Sequence, residues 1–162
     1  MNNQKTLFIT QAGIIAALYV ILTLLINSFG LASGAIQVRI SEALTILPFF
    51  TPAAIPGLFV GCLLSNILTG CLPWDIVFGS LATLIGAFGS YFLRKNKWLV
   101  SIPPILANTI IVPLVLMFVY QLEGSFIYFA ITVGIGEIIS CGFLGMLLLF
   151  ALQKYTNLFP KV

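Results

Sequence analysis

Between Gln37 and Asp75 the chain sets ionisable residues beside prolines inside an otherwise apolar run, QVRISEALTILPFFTPAAIPGLFVGCLLSNILTGCLPWD. Three prolines, Pro48, Pro52 and Pro56, fall within about nine positions and break any helix that enters them. Arg39, Glu42 and Asp75 belong to a set of only seven Lys or Arg and four Asp or Glu in 162 residues. A soluble domain carries about 25% charged residues. This chain carries 7%, with 60% hydrophobic residues, and so reads as an all-α membrane protein. Ionisable residues beside broken helices in such a chain mark a site.

The remaining sequence divides into apolar runs with short joints. A first span is expected over about Leu7 to Ile26. It is longer than the ~7–15 apolar residues of a signal peptide, and Ala32 to Ala35 is a poor cleavage site, so a retained helix is expected. Phe29 to Gln37 is a small-residue connection. Ser41 to Phe50 is a short helix, with Ser41 as its cap and Glu42 in its first turn. A break near Thr51–Ala53 precedes a third helix over about Ala54 to Leu68. Pro73–Trp74–Asp75 opens a fourth that runs to Leu93, and Arg94–Lys95–Asn96–Lys97 forms the basic cluster. A fifth helix runs over about Trp98 to Tyr120, with Pro113 as a kink. A sixth runs over about Phe126 to Lys154 and is long enough to tilt or protrude.

Charge decides whether the short second segment crosses. With six spans and the N-terminus inside, Lys5, Arg94, Lys95, Lys97, Lys154 and Lys161 share the cytoplasmic side, and Arg39 alone lies outside. Five spans would split the basic residues between the two sides. The expected architecture is therefore a six-transmembrane-helix bundle in the cell membrane, one domain over residues 1–162, with both termini cytoplasmic. Loops of at most about fifteen residues leave no room for an ATPase or nucleic-acid-binding module. Histidine is absent, which removes imidazole relays and most zinc chemistry. Cys62, Cys71 and Cys141 form no CxxC pair and read as small packing residues. Neither an enzyme, a metal site nor a cofactor is expected.

Glu137 is the sharpest candidate. It lies about eleven residues into the sixth helix, roughly 16 Å along it, where an acid must be paired, protonated or face a cavity. Arg39 and Glu42 are spaced to pair on one helix face, or to meet a ligand. Asp75 suits a helix N-terminus or a site. Trp74 is either an interfacial anchor or a stacking surface for a ring. Asn66 and Asn108 can pack helices or read a base edge. Gly57 and Gly61 form a GxxxG, and Ala12 and Ala16 an AxxxA. Each lets helices approach closely, and the alanine face serves either internal packing or docking of another subunit.

Three blocks carry a family resemblance: VRISEALTILPFFTPAAIPGLFVGCLLSN (Val38–Asn66), WDIVFGSLATLIGA (Trp74–Ala87) and VGIGEIISC (Val133–Cys141). The chain resembles the QueT family, S-components (substrate-binding subunits) of energy-coupling-factor (ECF) transporters. The resemblance implies capture from outside of a 7-deazaguanine precursor of queuosine, preQ1 or queuine. It implies docking on the transmembrane subunit EcfT through Ala12 and Ala16, and toppling driven by the ATPases EcfA and EcfA', which bind the ATP. Asn27–Val38 would be an outer lid. Glu137 would read the purine-like edge, Glu42 or Asp75 would meet the preQ1 amine, and Arg39, Asn66, Asn108 and Trp74 would complete the pocket. The rivals are an S-component for another small vitamin-like molecule, a small intramembrane enzyme using Glu137 or Asp75, and a channel.

Overall fold

The structure is a computed structural model that describes residues 3–29, 39–155 and 159. Most of the expected lid, from residue 30 to residue 38, lies outside the described residues, as do the Ala32–Ala35 stretch and Lys161. Among the described residues the chain is helical throughout and has no strand: α1 (Asn3–Ser28), a 3-10 helix (Ile40–Phe49), α2 (Ala54–Leu68), α3 (Pro73–Phe92), α4 (Ile102–Phe118), α5 (Phe126–Glu137), a π-helical segment (Ile138–Leu144) and α6 (Gly145–Gln153). The last three are continuous. Three helices are long and apolar enough to cross a bilayer: Asn3–Ser28, Pro73–Phe92 and Phe126–Gln153. The protein is a membrane protein.

The proline and glycine punctuation sets the helix ends. Pro52 leaves a turn before α2, Thr69 and Gly70 end α2, with Gly70 at φ 76°, and Pro73 occupies the first turn of α3. The fifth expected helix is trimmed at both ends, because the chain turns over residues 93–101 before entering α4 at Ile102.

The short second segment departs most from expectation. It winds as a 3-10 helix, and Ser41 does not cap it. Arg39 is the N-cap residue, without a side-chain cap bond, and Ser41 is fully buried and receives a hydrogen bond from Thr23 Oγ1 at 2.9 Å. A 3-10 helix rises ~2.0 Å per residue against ~1.5 Å for an α-helix. Ten residues therefore reach about 20 Å rather than about 15 Å. Every residue from Ser41 to Pro48 is buried. This helix is the inner stave of the bundle, in contact with α1, α2, α3, α6 and the π segment. Leu44, Ile46 and Leu47 meet Ile15 and Tyr19 of α1, Leu58 and Cys62 of α2, and Leu149 of α6 in one core.

Small residues set the spacing of the outer helices. A Cβ on Gly57 would lie 2.7 Å from the Ala12 carbonyl oxygen, and one on Gly61 would lie 3.1 Å from Ala16 Cα. The AxxxA of α1 thus packs into the GxxxG of α2 within this chain. Ala12 and Ala16 are thus occupied by α2, and the outward face of α1 carries Gly13, Ile14, Ala17 and Leu18. Between α3 and α4, Gly86 and Gly89 make a notch for Pro104 and Pro103, where added Cβ atoms would come within 2.7 Å and 2.4 Å.

Candidate functional site

Three helices and one extended residue enclose a polar cleft, and each helix gives residues one turn apart. Asp75, Gly79 and Thr83 lie on one face of α3, Asn108 and Val112 on α4, and Val133 and Glu137 on α5. Arg39, just before the 3-10 helix, completes the wall. The cleft measures about 400 Å³ including its open mouth. Residues separated by most of the chain's length meet here, so four of the seven expected pocket residues (Arg39, Asp75, Asn108 and Glu137) share one cavity.

Glu42 stands behind this wall rather than in it. It is 1% exposed, and its Oε1 accepts a hydrogen bond from the Tyr19 hydroxyl. Among the described residues its Oε2 is buried without a hydrogen-bond partner, so Glu42 is not paired with Arg39 through that oxygen. The acceptor atoms of Glu42 and Glu137 and Cys141 Sγ lie within 4.8 Å of one another. Cys141 is more than packing: its Sγ donates to Glu137 Oε2 at 3.1 Å and receives Thr45 Oγ1 at 3.4 Å. The Thr45 bond ties the 3-10 helix to the last helix, at the place where α-helical winding gives way to π winding. A π turn widens the helix and frees backbone geometry beside a site.

Asn66 is 2% exposed and borders the cleft through Gly79, since a Cβ there would sit 3.2 Å from Asn66 Nδ2. The same Cβ would lie 3.5 Å from Asp75 Oδ1. Gly79 therefore keeps a hollow between an amide and a carboxylate.

Trp74 is the exception among the expected pocket residues. It is 63% exposed and stacks on Phe78 with centroids 6.0 Å apart. Adjacent helix positions point about 100° apart, so once Asp75 faces the cleft Trp74 must face away. An exposed tryptophan beside Phe78 fits the interfacial-anchor alternative, and the aliphatic side chains on the cleft walls are Val112 and Val133.

Residues not singled out from sequence also shape the site. Tyr19 holds Glu42. Tyr120 donates to Asp75 Oδ2 at 2.7 Å. Thr83 donates to Cys62 Sγ at 3.3 Å and lines the cleft. The spacing of Asp75, Gly79 and Thr83, four residues apart on a largely apolar helix, was the signal available for the last.

Chemically the cleft offers carboxylates on two helices, one guanidinium and an amide, with aliphatic walls between. That set suits a small polar ring bearing hydrogen-bond donors and a positive group.

The comparisons agree with a transport role. The chain is 40% identical over 86 residues to "Queuosine precursor transporter QueT" of Lactococcus lactis subsp. cremoris (strain MG1363); the match covers 52% of this chain and 50% of that relative. The chain thus spans about half the length of the curated relative it matches. No solved structure matches. The family model described as QueT transporter matches residues 9–154, nearly the whole helical body. By that match the chain belongs to the QueT transporter family.

Proposed function

We propose that this chain is the substrate-binding S-component of an ECF importer and captures a 7-deazaguanine queuosine precursor from outside the cell. The observation that carries the reading is the convergence of Asp75, Glu137, Asn108 and Arg39 on one cleft. The pyrimidinone edge of a deazaguanine presents adjacent N–H donors, and Glu137 accepts them. Asn108 and Arg39 are the donors for its carbonyl, and Val112 and Val133 flank the ring. Asp75, which lines the cleft, is the acid that meets the preQ1 amine; Glu42, behind Glu137, supports the site from within.

In this reading the chain is one domain of six spans with both termini inside, and the 3-10 helix is the short second span. Its partners are EcfT and the ATPases EcfA and EcfA', which supply ATP hydrolysis. Contact of EcfT with α1 falls on the outward face of that helix, because Ala12 and Ala16 are occupied by α2.

Isothermal titration of the purified full chain against preQ1, queuine and preQ0 tests this. At least one base is expected to bind stoichiometrically, and binding of none of the three ends the proposal. Co-purification with EcfT tests the assembly separately.

A further inference from the structure

Asp75 has a choice of partners that the cleft alone does not settle. It sits in the first turn of α3, where unpaired backbone N–H groups attract a carboxylate, and the N-cap residue Leu72 supplies no side-chain cap. Left to itself, an acid here turns back onto its own helix or out to water. Instead its Oδ2 is taken by the Tyr120 hydroxyl at 2.7 Å, and the same hydroxyl oxygen accepts the Leu72 N–H at 3.4 Å. One phenol thus fastens both the carboxylate and the turn that leads into it. Among the described residues no side chain donates to Asp75 Oδ1, which lies beside the hollow left by Gly79.

Tyr120 is itself held in place. It lies past the end of α4, with its N–H on the Val115 carbonyl at 3.2 Å, while Leu122 N–H reaches the Leu116 carbonyl at 3.1 Å. Between them Gln121 adopts φ 53°, the one non-glycine residue described with positive φ. Such a conformation persists where the surroundings over-determine it. Burial and the bond to Asp75 push the Tyr120 hydroxyl's pKa up, so it remains a donor across the physiological range.

We propose that Tyr120 is a positioning residue for ligand selection: it occupies Asp75 Oδ2 and leaves Oδ1 in the cleft as a single acceptor for a ligand's ammonium group. This rests on the reading of the cleft as a ligand site. A carboxylate with one free oxygen suits a compact ammonium, whereas a planar two-donor edge needs both oxygens of an acid. Asp75 and Glu137 are thereby given different parts of the same ligand.

The test compares wild type and Tyr120→Phe, as full-length protein in detergent, with two probes: 7-aminomethyl-7-deazaguanine and 7-cyano-7-deazaguanine, which lacks the amine. Tyr120→Phe should weaken the aminomethyl base about tenfold, the scale of one hydrogen bond to a charged group, and the cyano base by less than about twofold. Equal losses for both probes, or no loss for either, overturn the proposal. A ligand-free arm uses Cys71, the half-buried cysteine beside Leu72; Cys62 and Cys141 are buried. Maleimide labelling of Cys71 should be faster in Tyr120→Phe because the turn is unfastened. An unchanged rate overturns the positioning role by itself. If wild type binds neither base, the functional reading fails, and the Cys71 rate alone decides whether Tyr120 fastens this turn.

Discussion

The α3–α4 pair presents two cavities on opposite sides, and they differ in every respect that matters. On the inner side lies the polar cleft, about 400 Å³ with its open mouth counted. On the outer side Phe78, Leu81 and Ile85 of α3 face Ile111, Leu114 and Phe118 of α4 across a groove of about 870 Å³. The larger cavity is the less informative one. In a bilayer an apolar groove costs nothing to expose, since acyl chains fill it as well as leucines do. Polar atoms have no such freedom and must be gathered where protein or water can satisfy them. Within a membrane, then, convergence of polar groups identifies a site better than volume does.

The largest expected effect comes from filling the inner hollow. Gly79→Leu should weaken binding of the deazaguanine on the order of 100-fold, because the new side chain enters the space beside Asn66 and Asp75. Calorimetry measures the loss, and undiminished affinity would place the ligand elsewhere. Next comes Glu137→Gln, which keeps the shape but replaces one of the two oxygens that accept the ring's donors with an NH2 donor. A loss on the order of 30-fold is expected for bases with and without the amine alike. Asp75→Asn should cost about tenfold, and only for the amine-bearing base, which separates the two acids by the part of the ligand each one meets. On the outer side Leu81→Ala should change affinity by less than about twofold. A larger change there would dissolve the distinction between the two cavities.

What was legible in the sequence was legible for energetic reasons. Arg39, Glu42, Asp75, Asn108 and Glu137 stand out because polar groups are costly in hydrocarbon, and all five lie in or directly behind the cleft. The ends of α2 and the start of α3 follow from Thr69, Gly70 and Pro73. Other features leave no such mark. Tyr19 and Tyr120 pass as membrane aromatics, although their hydroxyls hold the acids. Gly79 is one of 14 glycines, and nothing in its neighbours' identities says which glycine keeps a cavity open. The sequence left Trp74 open between an interfacial anchor and a stacking surface because its direction depends on helix phase, which only packing fixes. The partner of the Ala12–Ala16 face depends likewise on tertiary contact. The 3-10 winding of Ile40–Phe49 accompanies burial among five neighbouring elements, which the local sequence does not announce.

The π segment from Ile138 to Leu144 carries a last consequence, for the tolerance of the chain to length change. A π turn holds one residue more than the α turn it replaces. Deleting a residue from an ordinary helix rotates everything beyond it by about 100° and misaligns two packed faces. Deleting one within this segment instead restores regular winding and leaves Val133 and Glu137 on one side, and Gly145 and Leu149 on the other, in their present phase. Among the described residues the helix that carries the central acid is therefore the one able to absorb a one-residue deletion, and such a deletion would separate what the bulge contributes to the site from what the helix contributes to the fold.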